Sequence, residues 1–187
     1  MKNLNIYITE AWSGVKKHTN NAEIEAWCKE MRIKNYTIND KGEIDVNGDV
    51  NLRNKDLKEL PYKFGKVSGS FDLFNNKDLI SLKNCPNRVD GEFFSCKNCS
   101  ILKTLEGCPK EVKGDLICNW CDKLISLEGC PKKVGKDFYC NTCINLESLK
   151  GCPKEVNGSF YCRHCKRKFP VEEVKSLCKV KGSIDLF

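Results

Sequence analysis

The chain has few of the residues and segments that several functional classes require. It contains only two histidines, His18 and His164, so a cysteine nucleophile would have few candidates for an oriented base. No apolar run approaches the roughly 18 residues that suggest a membrane span. The N-terminus has no uninterrupted apolar region of a secretory signal, and no glycine-rich phosphate loop is present. These absences predict a protein that is not an enzyme, spans no membrane and needs no cofactor.

Cysteine, by contrast, is abundant, with 14 residues in the chain. Most of these cysteines fall into pairs separated by two residues, and the pairs recur every 22 residues. The four pairs are Cys96 and Cys99, Cys118 and Cys121, Cys140 and Cys143, and Cys162 and Cys165. A fixed period in this range is typical of a solenoid, in which each repeat buries its apolar face against its neighbours.

The agreement between copies extends well beyond the cysteines, to the pattern V-x-G-x-F-x-C-x-x-C-x-x-L-x-x-L-x-x-C-P. Weaker copies continue it upstream to Val50 and downstream to Leu186, which gives seven strand-like positions. In the early copies Leu52 and Leu73 replace the first cysteine, and Asn76 replaces the second. The pattern therefore predicts about seven rungs of 21–24 residues.

The F-x-C-x-x-C stretch resembles the leucine-rich-repeat pattern L-x-x-L-x-L-x-x-N/C-x-L. The resemblance implies that F-x-C is a short parallel strand and that the second cysteine occupies the Asn/Cys position. This chain departs from it by one residue after that position, since two residues separate Cys143 from Leu146. Residues 36–187 are also similar to repeat proteins of tailed bacteriophages that carry the phrase Gly-Cys-Pro-Lys-Glu-Val. That similarity implies an architecture and no activity.

The predicted fold class is a mainly β repeat solenoid, leucine-rich-repeat-like, with a small α+β N-terminal cap. Ile24, Trp27, Cys28 and Met31 have the spacing of one face of an amphipathic helix, and alternating residues around Asp40-Lys41-Gly42 indicate a hairpin. The predicted divisions are a cap over 1–46, with a targeting-like segment at 1–11, a helix at 21–31 and a hairpin at 36–46, and then a solenoid over 47–187 with a short helix near 170–178.

The repeated cysteines have two alternative interpretations. Free cysteine is a small residue that is readily buried, so the three equivalent sets of cysteines are expected to form columns inside the stack. The alternative is a structural zinc site made of two Cys-x-x-Cys pairs. It would use Cys96, Cys99, Cys118, Cys121, Cys140, Cys143, Cys162 and Cys165. The absence of thiols at Leu52, Leu73 and Asn76 favours packing over metal binding, and the sequence leaves both open.

The formal net charge of +7 lies entirely on the repeats, because residues 1–46 contain seven basic and seven acidic side chains. Lys110, Lys132, Lys133 and Lys154 alternate with Glu111 and Glu155, as in a solvated ridge of mixed sign. Nucleic-acid binding would need a denser basic stripe with stacking aromatics. The sequence therefore favours a protein partner over nucleic acid, and Lys166-Arg167-Lys168 is its one concentrated basic run.

The candidate binding surface consists of side chains that alternate with the inward-facing residues of the strands. One outward row is Asn51, Asp72, Ser95, Ile117, Tyr139, Tyr161 and Asp185, and the next is Arg53, Phe74, Lys97, Asn119, Asn141 and Arg163. Tyrosine and arginine are enriched where binding energy concentrates. The predicted binding residues are Ile117, Asn119, Tyr139, Asn141, Tyr161 and Arg163.

A second functional hypothesis comes from the first eleven residues, which resemble the targeting sequence of internal head proteins of tailed phages. The resemblance implies cleavage by a maturation protease between Glu10 and Ala11. The expected location is the cytoplasm of a bacterial host, where the thiols stay reduced, or the virion interior under this second hypothesis. The last strand is also expected to offer an unpaired edge for self-association.

Overall fold

The structure of the protein, a computed structural model, describes residues 20–187. The predicted processing site at Glu10 and Ala11 lies outside the described residues, as does the rest of segment 1–11. The described chain begins with helix α1 (Asn21–Glu30). Asn20 caps it by accepting a hydrogen bond from the Ala22 amide at 3.1 Å, which satisfies one of the free donors at the helix start.

The remainder is built from short strands and one further helix, α2 (Val171–Leu177). In chain order the strands are β1 (Tyr36–Ile38), β2 (Ile44–Val46), β3 (Val50–Asn51), β4 (Phe64–Val67), β5 (Phe71–Asp72), β6 (Arg88–Val89), β7 (Phe93–Ser95), β8 (Glu111–Val112), β9 (Asp115–Ile117), β10 (Lys133–Val134), β11 (Phe138–Tyr139), β12 (Glu155–Val156), β13 (Phe160–Tyr161), β14 (Lys179–Val180) and β15 (Ile184–Asp185).

These strands form two sheets that run side by side along the solenoid. The sheet β1-β2-β4-β6-β8-β10-β12-β14 contains the repeated valines and is called the valine sheet here. The sheet β3-β5-β7-β9-β11-β13-β15 contains the repeated phenylalanines and is called the phenylalanine sheet. Every strand pair is parallel except β1 with β2. The fold is therefore a mainly β solenoid, and its phenylalanine sheet has the predicted seven rungs.

The register of the strands stacks equivalent residues directly over one another. Phe138 is paired with Leu116 on one side and with Phe160 on the other. All three side chains are fully buried. The third side of each turn contains no strand and is called the strand-free wall here. Its leucines, such as Leu124 and Leu127, are buried as well. The interior is thus a set of apolar columns that run the length of the stack.

Each turn contains two strands, whereas the sequence predicted one, at F-x-C. The second strand lies at the repeated valine, as in Glu111–Val112, where only two residues are extended and one of them is buried. Gly114 follows at the corner between the sheets. A Cβ there would lie 1.9 Å from the carbonyl oxygen of Glu92, so the corner accepts only glycine at this close approach. The glycine of the V-x-G phrase therefore lets consecutive turns stack tightly.

The cap is continuous with the solenoid. β1 and β2 form an antiparallel hairpin, and β2 also pairs in parallel with β4. Ile24 and Cys28 of α1 are fully buried. The Trp27 ring packs edge-on against Phe64, with 6.1 Å between ring centroids. The helix therefore covers the apolar end of the first turn, as terminal caps of solenoids do.

At the other end, α2 packs Val174 into the core, and the chain continues into β14 and β15. Among the strands that the structure describes, β15 pairs only with β13. The side chain of Phe187 is 74% exposed. Self-association through this edge stays a prediction.

The second column is defined here as the second cysteine of each Cys-x-x-Cys pair together with Asn76 of the earlier turn. The residue before each second-column residue has a left-handed backbone. The φ angles are 59° at Asn75, 61° at Asn98, 59° at Trp120, 58° at Thr142 and 55° at His164. Asparagine tolerates this region, whereas a β-branched residue there is strained. Asn75 and Asn98 also form a side-chain ladder, in which the Asn98 Nδ2 donates to the Asn75 Oδ1 at 2.6 Å.

We expect Thr142→Asn to stabilise the protein by about 1 kcal/mol, because it removes a β-branched side chain from the left-handed region. Thermal unfolding monitored by circular dichroism would measure the change. Thr37→Asn is the matched control, since Thr37 lies in strand β1 and has no positive φ. An equal effect of both substitutions would contradict the backbone explanation.

Candidate functional site

The six predicted binding residues come together on the outer face of the phenylalanine sheet. Ile117, Tyr139 and Tyr161 lie on the adjacent strands β9, β11 and β13, in register with one another. Asn119, Asn141 and Arg163 follow two residues later in the same three turns. Arg163 is exposed, and the other five are partly buried.

Not every residue of the predicted outward rows reaches the solvent. Asp72 is only 6% exposed and Ser95 only 5%. The Asp72 carboxylate accepts a hydrogen bond from the Phe74 amide at 2.9 Å and another from the Arg53 Nη1 at 3.2 Å. These two positions therefore belong to the internal polar network of the early turns, which corrects the prediction that they face outward.

Tyr139 and Tyr161 form the centre of the face. Their rings are stacked, with centroids 4.7 Å apart and planes 3° from parallel. The Tyr139 hydroxyl donates to the Asp137 Oδ2 at 2.9 Å. Burial and this hydrogen bond raise the pKa of Tyr139. The pair is a rigid aromatic unit whose facing ring surfaces cover each other, so a partner would contact the ring edges.

The two asparagines have a structural role that the sequence did not reveal. The Asn119 Oδ1 accepts a hydrogen bond from the Asn141 amide at 2.7 Å. The Asn141 Oδ1 accepts one from the Arg163 amide at 2.8 Å. Each side chain thereby ties its own turn to the next. The Nδ2 groups make no hydrogen bond within the described residues, so they are free to donate to a partner.

Arg163 is held by an ion pair with Asp185 of the last strand. Its Nε donates to the Asp185 Oδ1 at 2.5 Å, and its Nη2 also contacts the same carboxylate. The guanidinium lowers the pKa of Asp185. The pair is exposed, so it contributes little to stability, but it fixes the direction of the arginine side chain.

A row of alternating cations and aromatic rings lies on the same face. The Arg53 guanidinium is 4.5 Å from the centroid of the Phe74 ring. The Lys97 Nζ lies 4.5 Å from the centroid of Trp120 and 5.7 Å from that of Phe74. Trp120, which is 44% exposed, was not among the predicted site residues. The only feature of the sequence that could have indicated Trp120 is its place between Cys118 and Cys121. The structure shows that this place is a left-handed turn.

Two carboxylates next to the tyrosine pair were also missed. The Asp115 Oδ1 accepts a hydrogen bond from the Asp137 amide at 2.9 Å, and the Asp137 Oδ1 accepts one from the Ser159 amide at 2.7 Å. Burial and the charge of Asp137 raise the pKa of Asp115. Neither carboxylate forms an ion pair with any residue of the described 20–187 range. Lys136 lowers the pKa of Asp115 in part, and the net shift is still upward.

The outer face of the valine sheet has a different character. Glu111 pairs with Arg88 at 2.9 Å, and Glu155 pairs with Lys181 at 3.1 Å and with Lys133 at 3.5 Å. These are exposed ion pairs between neighbouring turns, the arrangement expected of a solvated ridge of mixed sign. Oppositely charged neighbours offset the repulsion between stacked turns.

The second-column thiols are hydrogen-bonded to the backbone of the preceding turn. Cys121 Sγ donates to the Cys96 carbonyl at 3.3 Å, and Cys143 Sγ donates to the Cys118 carbonyl at 3.2 Å. Asn76 does the same through its Nδ2, which lies 2.9 Å from the Leu52 carbonyl oxygen. Cysteine and asparagine therefore perform the same task at this position.

Most thiols of the Cys-x-x-Cys pairs are fully buried. Burial raises the pKa of Cys140 to about 12 and raises that of Cys99 as well, whereas a hydrogen bond with Cys118 lowers the pKa of Cys143. Metal ligation requires thiolates. Within residues 20–187, no group of three or more His, Cys, Asp or Glu side chains is arranged to hold a metal ion. His164 makes no side-chain hydrogen bond to a cysteine in this range.

No protein family, no curated protein and no solved structure matches the chain. The helices of the described residues are too short and too polar to cross a membrane.

We expect a strong zinc chelator to leave the thermal unfolding midpoint unchanged, because the thiols are hydrogen-bond donors inside the stack and the early turns have no thiols in these columns. Unfolding followed with and without chelator, together with metal analysis of the purified chain, would measure this. Structural zinc sites contribute folding free energy directly, so loss of the fold on chelation would contradict the packing interpretation.

Proposed function

We propose that the protein is a non-enzymatic protein-binding module whose contact surface is the outer face of the phenylalanine sheet. The observation that carries the proposal is the stacked pair of Tyr139 and Tyr161, with Ile117 beside it in register. Aromatic side chains supply much of the binding energy at interfaces. The flanking Asn119, Asn141 and Arg163 side chains add hydrogen-bond donors around this centre.

The contrast between the two sheets supports the choice of face. Charged side chains on the valine sheet form ion pairs between neighbouring turns, as Glu155 does with Lys133 and Lys181. The phenylalanine sheet has ion pairs near its two ends, Arg53 with Asp72 and Arg163 with Asp185. Between them it presents aromatic rings, amide donors and two carboxylates, Asp115 and Asp137, that form no ion pair within residues 20–187. Charged residues are depleted and aromatic residues enriched at the centre of protein interfaces. Its side chains are also held by their neighbours, which reduces the entropy lost on binding.

The charge of this face indicates the chemistry of the partner. Asp115 and Asp137 lie next to the tyrosine pair and form no ion pair within residues 20–187. Burial, and then the charge of Asp137, raise the pKa of Asp115, and the nearby Lys136 offsets this shift only in part. A cation from outside would relieve that repulsion. The proposed partner is therefore a protein that presents a lysine or arginine opposite these two carboxylates and an apolar surface opposite the tyrosines.

The biological setting of the proposal rests on sequence resemblance. The repeated Gly-Cys-Pro-Lys-Glu-Val phrase, present at residues 107–112 and 151–156, is similar to that of repeat proteins of tailed bacteriophages. A phage-encoded module of this kind would act on a host or virion protein, in the bacterial cytoplasm or in the particle. Reduced thiols along the interior suit the cytoplasm.

We expect Tyr139→Ala combined with Tyr161→Ala to weaken partner binding by at least about 30-fold, the effect of losing roughly 2 kcal/mol at a hot spot. The measurement has two stages. A protein captured from bacterial lysate by the unchanged chain is purified and then titrated by calorimetry against the unchanged chain and against the double variant.

The matched control is Ile125→Ser combined with Ile144→Ser, which changes two exposed apolar residues on the strand-free wall. This variant should bind like the unchanged chain. Binding that survives loss of the tyrosines, or that disappears only with the isoleucines, would assign the contact to another face.

We expect Asp115→Asn to weaken binding of the purified partner several-fold at low salt and to reduce its salt dependence. The substitution keeps the Oδ1 acceptor that the Asp137 amide requires but removes the charge. Surface charges are screened beyond about 10 Å at 0.1 M salt. Titrations at two salt concentrations would measure the change, and an unchanged salt dependence would exclude a cation opposite Asp115.

A further inference from the structure

One of the Cys-x-x-Cys pairs differs from the other three in the direction of its thiols. The Sγ atoms of Cys162 and Cys165 are 3.4 Å apart, and in the described part of the chain no other Cys-x-x-Cys pair has a hydrogen bond between its own two thiols. In earlier turns the first thiol donates instead to the next turn, as Cys118 does to the Tyr139 carbonyl at 3.2 Å and Cys140 to the Tyr161 carbonyl at 3.4 Å.

The same pair is also the most accessible. Cys165 is partly exposed, whereas Cys99, Cys121 and Cys143 at the equivalent positions are fully buried. The residues that follow Cys165 leave the repeat pattern, since Lys166-Arg167-Lys168 are all exposed. A small reagent can therefore reach Cys165, while the interior thiols are covered by neighbouring turns.

We propose that Cys162 and Cys165 are a site of reversible disulfide formation with low-molecular-weight disulfides such as oxidised glutathione. A disulfide has an S–S distance of about 2.05 Å, so the two sulfur atoms must approach by about 1.3 Å from their present separation. Side-chain rotation at the partly exposed Cys165 can supply this shift. No comparable thiol contact exists in the three preceding pairs.

The reaction proceeds by two thiol–disulfide exchanges. The Cys165 thiolate attacks one sulfur of the small disulfide, forms a mixed disulfide and releases one small thiolate. The Cys162 thiolate then attacks the Cys165 sulfur and releases the second small thiolate. The protein pair loses two electrons and two protons, and the small disulfide is reduced to two thiols.

The surroundings of Cys165 make its thiol–disulfide exchange slow. The hydrogen bond with Cys162 and burial raise the pKa of Cys165, so the reactive thiolate is scarce at neutral pH. A dithiol that catalyses exchange has the opposite property, a lowered pKa. The pair is thus suited to follow the redox state of its surroundings over a long incubation and not to act as an oxidoreductase.

Oxidation would change the turn that carries Arg163. Arg163 and His164 lie inside the ring that the disulfide would close. The thiol of Cys165 also donates to the Cys140 carbonyl at 3.3 Å, and that donor is lost on oxidation. The site is therefore coupled to one edge of the phenylalanine-sheet face, although disulfide formation itself does not depend on the binding function.

The test is incubation of the folded, fully reduced protein with oxidised glutathione at pH 8, followed by acid quenching, intact mass and peptide mapping. The expected product has a mass lower by about 2 Da, from the two hydrogens lost, and a single disulfide that joins Cys162 to Cys165. Cys165→Ser should abolish this product. Cys143→Ser, the equivalent change one turn earlier, should leave it intact, and circular dichroism would verify that both variants are folded.

Three outcomes would overturn the proposal. They are a chain that stays fully reduced, a mixed disulfide that never resolves, and a disulfide that joins any two cysteines other than Cys162 and Cys165. The mapping of the unchanged protein is decisive even if a variant fails to fold, because it locates the disulfide without any substitution. Partner binding plays no part in this measurement, so its result is independent of the proposed function.

Discussion

Hydrogen bonds between successive turns are the interaction on which the rest of the structure depends. The amides of Cys118 and Cys140 each donate at 2.8 Å to carbonyls of the following turn, and the Cys162 amide donates to the Asp185 carbonyl at 2.9 Å. Parallel pairing fixes neighbouring strands about 4.8 Å apart. Every interior side chain therefore has its equivalent directly above and below it, and a side chain too large for one turn would displace its neighbours. This constraint explains why the columns repeat so closely while the outward positions vary.

The second column shows how the same constraint selects polar residues. The interior carbonyls at the start of each strand-free wall need donors, because an unsatisfied buried carbonyl is costly. Asn76 satisfies two carbonyls with its Nδ2, at Leu52 and Leu73, and its Oδ1 accepts from the amides of Lys55 and Leu57. The thiol of Cys121 supplies one donor and is otherwise apolar. A cysteine therefore suffices at this position where a turn needs one hydrogen-bond donor and no acceptor. This difference accounts for the change from asparagine to cysteine along the stack, and metal binding is not needed to explain it.

The period and the alternation of the strands were sufficient to predict the seven rungs, the buried columns and the side of the sheet on which Tyr139 and Tyr161 lie. The second strand of each turn was missed because only one apolar residue recurs in it, such as Val112, whereas F-x-C repeats two inward positions and so shows an alternation. Contacts between turns were missed for a different reason. The hydrogen bonds of Asn119, Asn141 and Asp137 join residues 22 positions apart, and the local pattern around each residue gives no sign of them. Asp72 and Ser95 had the correct parity for exposure and are nevertheless buried, because neighbouring side chains cover them.

The repeated interior and the variable exterior have different consequences for function. Mutual packing determines the column residues, so they are poor guides to activity, whereas the outward residues are free to specialise. The valine sheet uses that freedom mostly for ion pairs between turns. The phenylalanine sheet uses it for stacked tyrosines, for cations over aromatic rings and for two carboxylates, Asp115 and Asp137, that form no ion pair within residues 20–187. These side chains are fixed by contacts with the next turn, as Tyr139 is by stacking on Tyr161 and Arg163 by its ion pair with Asp185. A surface that is ordered before it meets a partner loses less entropy on binding. The backbone stacking that built the columns therefore also prepares the face for recognition.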